Sequence, residues 1–597
     1  MRQFFKYTLA TICGIIILFV VAGIFFMITI AGAVASGSSA TKVEKNSVLV
    51  LRMDGMVEER ADEQNPLGSL LGQADMEMMG LDDLLSAIRK AKDNEDIKGI
   101  YIEGGTTAYD SPASAQQLRD ALMDFKDSGK WIIAYADRYM QGAYFVSTVA
   151  DSLFINETGM IDIKGLGGKG YYLTGLYEKV GVRYQCTRVG KYKSAVESVT
   201  RKDMSESDRE QRMAYLQAIW KHWTHAIAES RGITEEQLNQ LADDSIMAFA
   251  SVEDYKAAKL VDGVFYPEQI KKVIRGKLGI GDNDEINQLT LKDMDGVKSN
   301  KKDKGDKIAV YYAYGEIIDE QTSAFSSEHA IVGGKMVDDL NKLAKDDDVK
   351  AVVVRVNSPG GSAVASELIW HAMKLLKEKK PIVVSMGGYA ASGGYMISAP
   401  ANFIVAEPTT VTGSIGIFGL IPNFSELVSD KLGVTWDGAY TNKNTCYETN
   451  LIFSKDNAEE LRHLQNYVDR GYETFLNIVA DGRGMTRDEV HEIAQGRVWV
   501  ATDALPIKLV DQIGSMDDAV KKAAELAGIG EEYYTSTYPD KASWIDELLE
   551  SASTNKGTYL DEQLRQTLGV LYEPLMQARK DCQRNQLQVR LPEMVKM

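Results

Sequence analysis

The amino-acid sequence predicts an α/β protein made of two tandem copies of one βαβ module, preceded by a single membrane-spanning helix. Three features support this: the chain repeats itself, each copy alternates β-rich apolar runs with amphipathic helical segments, and an uncharged apolar run lies near the N-terminus. Strands that alternate with helices are joined by crossovers, and such crossovers produce a parallel sheet. The 597 residues leave room for three or four units of about 150 residues each.

The internal repeat is visible in several pairs of segments. "SVLVLRMDGMV" from Ser47 corresponds to "KIAVYYAYGEI" from Lys307, and "AAKLVDGV" corresponds to "PIKLVDQI". Between these two segments of each copy, "KWIIAYADRYMQGAYFVSTVADSLFI" from Lys130 corresponds to "KPIVVSMGGYAASGGYMISAPANFIV" from Lys380. Similar segments that recur in the same order along the chain indicate that one structural unit has been duplicated.

Within the second copy, both strand and helix patterns are present. Ala351–Val356 and Ile382–Ser385 are β-rich apolar runs of the kind buried in parallel sheets. The segment before the first run has the helical period, and its apolar face contains Val337, Leu340, Leu343 and Ala344.

The repeat also predicts the domain boundaries. The first copy covers residues 45–292, a polar linker covers 293–307, the second copy covers 308–540, and a C-terminal extension covers 541–597. The extension follows neither copy; it has helical patterns near Trp544–Leu549 and Leu560–Leu571 and a β pattern near Leu587–Leu591.

The N-terminal run predicts a membrane anchor. Residues 7–35 contain no charged side chain and are almost wholly apolar, and a spanning helix needs about 20 such residues. Because Arg2 and Lys6 precede the run, the positive-inside rule places residues 1–6 in the cytoplasm and the rest of the chain outside. The alternative is a cleaved signal peptide, since Ala33–Ala35 fits a cleavage site, but the run is longer than a typical signal core.

The composition argues against a nucleic-acid partner and against a metal or organic cofactor. The net charge is −18, whereas nucleic-acid-binding proteins concentrate positive charge on one surface. The cysteines show neither metal-ligand spacing nor a disulfide framework; they are Cys13, Cys186, Cys446 and Cys582.

Two glycine-rich turns follow neighbouring strands of the second copy and suggest a site for acyl chemistry. "NSPGGS" follows Ala351–Val356, and "ASGGYMIS" follows the next strand and contains Ser392 between small residues. Such surroundings would leave Ser392 open to attack a carbonyl carbon. The Gly393 N–H and the turn at Gly360 and Gly361 could then hold the developing oxyanion. The alternative for either motif is structural: a chain reversal, or a small residue packed beneath a helix.

A nucleophilic serine needs a base, and the histidines are poorly placed to provide one. No nucleophile motif adjoins any of them; they are His222, His225, His329, His371, His463 and His491. A lysine whose pKa is lowered by burial is the remaining candidate. The repeat places Gln141 or Gly142 opposite Ser392 and places Thr445 opposite Lys193, so each copy holds half of a serine–lysine pair. Spacing alone does not decide between Lys193 and Lys191.

Four motifs together resemble the signal peptide peptidase A family in its long, two-repeat form. They are "YKSAVE" at Tyr192–Glu197, "NSPGGS", "SMGGYAASGGYMIS", and "TVTGSIGIFG" at Thr410–Gly419. The resemblance implies that Ser392 is the nucleophile, that Lys193 is the base and that Ser414 orients the lysine. It also implies a fold of the Clp-protease and crotonase class. One departure is visible, because Ser198 stands where the long form often has proline; we expect it to alter the local turn and not the chemistry.

The resemblance further implies a membrane-bound homotetramer that degrades remnant signal peptides and similar apolar peptides. Two alternatives come from other classes: a crotonase-type acyl-CoA enzyme, because a shared fold does not determine function, and a catalytically idle membrane scaffold. Apolar residues after Ser414 could line a substrate groove, although core packing is favoured for them; they are Ile415, Ile417, Phe418 and Leu420.

Overall fold

A computed structural model describes residues 41–61, 78–244, 247–298, 304–319, 329–541 and 588–590 of the chain. In these ranges no helix is both long and apolar enough to cross a bilayer. The predicted anchor, residues 7–35, lies outside them, as do the two predicted helices of the C-terminal extension. The β pattern predicted near residues 587–591 coincides with the strand Gln588–Arg590.

The first copy is built on a parallel sheet with the strand order β10-β1-β4-β6-β7-β9. Its strands are β1 Ser47–Arg52, β4 Ile97–Glu103, β6 Trp131–Tyr139, β7 Ser152–Ile161, β9 Gly263–Val264 and β10 Gln288–Leu289. The helices of this copy are α1 Leu81–Asp93, α2 Pro112–Asp127, α3 Gln141–Ser147, α4 Thr174–Val180, α5 Glu197–Thr200, α6 Glu206–Arg231, α7 Glu235–Asp244, α8 Val252–Ala257, α9 Pro267–Leu278 and α10 Leu291–Asp295. The end of α10 and the start of the next strand overlap the predicted linker.

The second copy repeats this design in a larger sheet with the path β20-β18-β16-β14-β11-β22; β17 pairs with β16 and with β21. These strands are β11 Asp306–Tyr314, β14 Val349–Ser358, β16 Ile382–Ala391, β17 Phe403–Ala406, β18 Val411–Gly413, β20 Val498–Val500, β21 Gln512–Ile513 and β22 Tyr533–Tyr538. All pairs are parallel except β18 with β20. Its helices are α11 Gly333–Lys345, α12 Ala363–Lys377, α13 Gly393–Ser398, α14 Tyr447–Phe453, α15 Ala458–Arg483, α16 Arg487–Ile493, α17 Ala501–Ala504 and α18 Met516–Ala527.

The strand and helix patterns of the second copy are confirmed. The two β-rich runs form parts of β14 and β16, and β16 is buried at every position because helices cover both faces of the sheet. The predicted apolar face lies on α11, where Leu340 and Leu343 are buried in the core.

The same hydrogen bonds recur in both copies, as duplication requires. The Tyr144 hydroxyl donates to the Leu260 carbonyl at 2.7 Å, and the Tyr395 hydroxyl donates to the Leu509 carbonyl at 2.9 Å. With these tyrosines aligned, Gln141 stands opposite Ser392, so of the two alternatives left by the sequence the structure supports Gln141 over Gly142.

Two smaller sheets lie beside the main ones. A three-stranded sheet contains β2 Met56–Glu58, β3 Met78–Gly80 and β5 Ala108–Tyr109. A mixed sheet has the order β13-β12-β15-β23-β19-β8, with β8 Arg183–Arg188, β12 Glu316–Ile318, β13 Ala330–Val332, β15 Gly360–Ser362, β19 Phe418–Asn423 and β23 Gln588–Arg590. Because β8 of the first copy pairs antiparallel with all six residues of β19, this sheet joins the two copies.

The copies also share a core and a buried ion pair. The main apolar cluster of the first copy includes Tyr389, Val411 and Val498 from the second. Glu59 accepts a hydrogen bond from Arg355 Nε at 2.7 Å, and the two side chains are 4 % and 0 % exposed. A buried charge is tolerated only when it is paired and hydrogen-bonded, so this ion pair holds the copies in one arrangement.

The buried pair yields the first prediction. Glu59→Ala leaves the Arg355 guanidinium buried without its carboxylate, so it should lower the free energy of unfolding by about 3–5 kcal/mol, measured by urea unfolding. Replacing both residues by methionine should cost less than the single change.

The matched control is Asp517→Ala, which breaks a salt bridge between the copies that is more than half exposed, from Asp517 to Arg89. Exposed pairs contribute little, so the urea midpoint should barely move. Equal losses in both variants would mean that burial of the Glu59–Arg355 pair does not matter.

Candidate active site

Ser392 lies at the junction of β16 and α13, in a backbone conformation unusual for a residue with a side chain. Its φ is +58°, and its N–H donates to the Gly413 carbonyl at 2.8 Å. A Cβ atom on Gly393 would lie 2.5 Å from Ser366 Oγ, and one on Gly394 would lie 2.6 Å from Ser358 O. Only glycines fit after Ser392, which explains the motif read from the sequence.

Ser392 is not open to solvent, contrary to the expectation from its small neighbours; its exposed fraction is 0 %. The reason is tertiary: the side chain of Lys193, from the other copy, and the backbone at Ser414 enclose the hydroxyl. Lys193 Nζ lies 2.6 Å from Ser392 Oγ and 3.0 Å from both Ser414 Oγ and the Ser414 carbonyl.

The environment of Lys193 favours an uncharged amine. The residue is 0 % exposed, and burial lowers the pKa of its amine well below its ordinary value. A neutral amine has two hydrogens and one lone pair. Two acceptors on Ser414 match the hydrogens, which leaves the lone pair for the Ser392 hydroxyl. Lys191, the alternative that spacing left open, is exposed and its Nζ lies over the ring of Tyr192.

The stem of Lys193 is enclosed by main chain. Gly496 has a φ of +79°, and a Cβ there would lie 2.7 Å from both the N and Cβ atoms of Lys193. The neighbouring Tyr192 N–H donates to the Gln495 carbonyl at 3.0 Å. The second copy therefore contacts the lysine along its backbone as well as at its amine.

A buried polar network on α6 holds the lysine loop, and sequence reasoning missed it. Gln211 Nε2 donates to the Tyr192 carbonyl at 3.0 Å and to Asp208 Oδ1 at 2.9 Å, while Ser194 Oγ donates to the same carboxylate at 2.6 Å. Gln211 Oε1 accepts from the Val498 N–H of the second copy at 3.2 Å. The available signal was a pair of polar residues spaced three apart on a helix face that is otherwise apolar.

Ser414 and the residues after it occupy a strained, buried turn. Ser414 has a φ of +51°, and its N–H donates to the Arg497 carbonyl at 2.7 Å. Ile415 and Ile417 pack in the core of the second copy and Phe418 is buried, as favoured for them from the sequence. Ser198, the departure from the family motif, lies in α5, where its carbonyl accepts from the Leu173 N–H at 2.7 Å.

The glycines proposed for the oxyanion lie together. A Cβ on Gly393 would stand 3.2 Å from Gly360 Cα, so the start of α13 is in direct contact with the Gly360–Gly361 turn, where the chain bends from β14 into β15. Gly393 is the first residue of α13, and the first N–H groups of a helix have no acceptor within it. The Gly360 N–H donates to Ser358 Oγ at 3.2 Å, and Gly361 pairs with Ile317 in β12.

An extended main chain already lies beside these turns. Residues 588–590 form β23, which runs antiparallel to β15 on one side and to β19 on the other. Val589 is opposite Gly361, and Gln588 is opposite both Ser362 and Phe418. The space between β15 and β19 therefore accommodates a peptide in the β conformation.

Five of the six histidines have side-chain polar contacts in the described structure, and these contacts are with residues other than Ser392. His222 contacts Gln116, His225 contacts Glu235, His329 contacts Glu58, His463 contacts Glu459, and His491 contacts Tyr472. Among the residues that the structure describes, no group of three or more histidine, cysteine or acidic side chains is placed to hold a metal ion.

Comparisons with known families agree with the duplication. The profile of peptidase family S49 matches twice, over residues 124–280 and 374–530, and the Clp protease profile matches residues 309–404. The tandem α/β copies thus have the Clp-protease-like fold expected from the resemblance.

Curated relatives extend over nearly the whole chain. The protein named Protease 4 of Salmonella typhi is 34% identical over 559 residues, which are 91% of this chain and 88% of the relative. Protease 4 of Haemophilus influenzae is 34% identical over 588 residues, 94% and 92% of the two chains. A putative signal peptide peptidase SppA of Enterococcus faecium is 35% identical over 266 residues, 43% of this chain and 74% of the relative.

The lowered pKa of Lys193 predicts how stability depends on pH. The folded state holds the amine neutral at pH values where the unfolded chain still binds its proton. Stability from this group therefore rises with pH between the folded-state pKa and about 10.4, the ordinary value, by up to about 1.4 kcal/mol per pH unit. Lys193→Met removes this slope, so the stability of the variant relative to the parent should fall as the pH rises through that range.

The control is Lys191→Met, which removes an exposed lysine from the same loop but leaves the buried amine of Lys193 in place, so its stability should keep the parental rise with pH. Urea unfolding at pH values from 6 to about 10 measures both. Parallel pH profiles for the parent and Lys193→Met would contradict a neutral lysine.

Proposed function

Since this chain belongs to peptidase family S49 and is a serine peptidase, we propose that it cleaves peptide bonds with a dyad formed by Ser392 and Lys193. The observation that carries this proposal is the 2.6 Å contact between Lys193 Nζ and Ser392 Oγ, made between two fully buried side chains. The acyl-CoA and scaffold alternatives do not fit membership of a peptidase family.

In the proposed mechanism, neutral Lys193 removes the proton from Ser392 as Oγ attacks the carbonyl carbon of the scissile bond. The resulting ammonium then protonates the leaving amine, and an acyl-enzyme remains. A water molecule, deprotonated by the regenerated amine, releases the acyl product. In each step where Lys193 acts as the base, its two hydrogen bonds to Ser414 direct the lone pair of the neutral amine toward Ser392.

The negative charge that develops on the carbonyl oxygen needs donors on the far side of the attacked carbon. We assign the Gly393 N–H and the turn at Gly360 and Gly361 to this role, because the two turns touch beside Ser392. The Gly360 N–H must exchange its present acceptor, Ser358 Oγ, for the substrate oxygen.

The substrate binds as an added strand between β15 and β19, antiparallel to both, in the position that residues 588–590 occupy. Main-chain hydrogen bonds of this kind give affinity without strong sequence preference. Such a groove suits unfolded apolar peptides, including cleaved signal peptides, the class suggested by the name of the Enterococcus relative.

We further propose that residues 7–35 anchor the protein in the bacterial cytoplasmic membrane, with both repeats on the outer side. The support is the uncharged apolar run after Arg2 and Lys6. Assembly as a homotetramer follows the family resemblance. An exposed apolar segment that a second copy could cover contains Leu432, Val434, Trp436 and Tyr440, with exposed fractions of 67, 43, 52 and 59 %.

The dyad is tested by hydrolysis of an apolar peptide ester by the full-length protein. Ser392→Ala should abolish the activity, and Lys193→Ala should lower kcat about 10²–10⁴-fold because the general base is lost. Ser414→Ala should give a smaller loss. Lys191→Ala is the control and should retain parental activity; activity lost in this control but kept in Lys193→Ala would assign the base to the other lysine.

The groove is tested by removing its present occupant. Deleting residues 588–597 frees the space between β15 and β19, so KM for a short apolar peptide should fall several-fold while kcat stays constant, as for loss of a competitive ligand. Deleting residues 592–597 only, which keeps β23, is the control. An unchanged KM in both variants would show that substrate does not bind where β23 lies.

A further inference from the structure

The pairing of β14 with β16 is interrupted just before Ser392. Val356 is opposite Met386 and Ser358 is opposite Ala390, so Asn357 alone faces the segment Gly387–Tyr389. Extra residues in one strand bulge away from the partner and turn the strand that follows. Ser392 comes three residues after the bulge, directly beyond the end of β16. On the other strand, Asn357 lies near the end of β14, shortly before the Gly360–Gly361 turn.

The side chain of Asn357 closes this bulge with three hydrogen bonds. Its Oδ1 accepts from the Tyr389 N–H at 3.1 Å, and its Nδ2 donates to Asp110 Oδ2 at 2.9 Å and to Glu59 Oε2 at 3.0 Å. An amide has two N–H donors, and both are directed at carboxylates. Because one end meets an N–H and the other meets two carboxylates, only one orientation of the amide is possible.

Both carboxylates belong to the first copy, which inserts into the bulge. A Cβ on Gly388 would overlap the side chain of Ser111, the N-cap of α2, so glycine is required for this close approach. Arg355 pairs with Glu59, whereas Asp110 is half-buried and accepts from the Asn357 amide. Burial, and then the charge of Glu59, raise the pKa of Asp110 to about 7.

The two strand ends beyond the bulge are in van der Waals contact. A Cβ on Gly393 would stand 3.2 Å from Gly360 Cα, and one on Gly394 would stand 2.6 Å from Ser358 O. Any movement of β14 against β16 at Asn357 therefore changes the position of Ser392 relative to the glycine turn. A displacement of about 1 Å in such a site can lower the rate about 100-fold.

We propose that Asn357 is a positioning residue, held by Glu59 and Asp110 of the first copy, that sets the geometry between Ser392 and the Gly360–Gly361 turn. This inference rests on the proposed peptidase function. In this proposal the first copy provides Lys193 and also determines the position of the Ser392 hydroxyl relative to the oxyanion donors of the second copy.

The test is Asn357→Asp, which keeps the shape and the acceptor for Tyr389 but replaces the donor by a third carboxylate. We expect kcat to fall about 10- to 100-fold with KM within about twofold of the parent, because a positioning defect acts on the transition state. Labelling of Ser392 by a phosphonate probe should slow by a similar factor. Asn402→Asp is the control: Asn402 accepts from the Ile382 N–H at 2.9 Å at the opposite end of the same strand, and its activity should match the parent.

A rescue separates positioning from general damage. Asp110→Asn in the Asn357→Asp background restores a donor opposite the new carboxylate and returns the carboxylate count to that of the parent, so part of the lost kcat should return. If Asn357→Asp does not fold, Asp110→Ala removes one acceptor without adding charge and should lower kcat with KM unchanged.

The outcomes are distinct from those that test the peptidase function itself. Parent protein that is not labelled at Ser392 would refute the proposed function. If the parent protein is labelled at Ser392 and either Asn357→Asp or Asp110→Ala keeps the parental kcat, the positioning role alone is overturned. Equal loss in Asn402→Asp, or no rescue by Asp110→Asn, would also overturn it.

Discussion

The burial of one lysine amine is the constraint on which the rest of this structure depends. An ammonium group is stable in water and costly in a protein interior, so a lysine without a carboxylate beside it remains there only as the neutral amine. Groups from the second copy contact Lys193 at both ends of its side chain: the Ser392 and Ser414 hydroxyls at its amine and the Gly496 backbone along its stem. Neither copy could provide this enclosure alone.

The interface between the copies follows from that requirement. β8 leads into the lysine loop and pairs along its length with β19, and Gln211 joins the loop to the Val498 N–H of the second copy. On the other side of Ser392, Glu59 and Asp110 meet Arg355 and Asn357. The first copy therefore contacts the second on both sides of Ser392, and relative movement of the copies is opposed at each side.

Duplication accounts for the division of the site. In the first copy, Gln141 stands opposite Ser392 and its side chain accepts from the backbone N–H groups of Lys164 and Gly165. In the second copy, Thr445, opposite Lys193 in the sequence, is exposed and bonds to the Asn442 carbonyl. Each copy therefore holds one half of the pair, and the two halves meet only in the arrangement of the copies seen here.

The order of amino acids alone was enough to predict the α/β class, the duplication and the strands β14 and β16, and it singled out Ser392 as a candidate. Each of these depends on local pattern: the period of apolar residues, the recurrence of segments, and glycines at a strand end. Other features depended on packing between residues far apart in the chain. Spacing could not separate Lys193 from Lys191, since both lie in the same loop and differ only in which one faces the second copy. The full burial of Ser392 and the contacts of Asn357 with Glu59 and Asp110 likewise arise where the two copies meet. Burial is a property of the assembled interior, and it decides which lysine loses its charge.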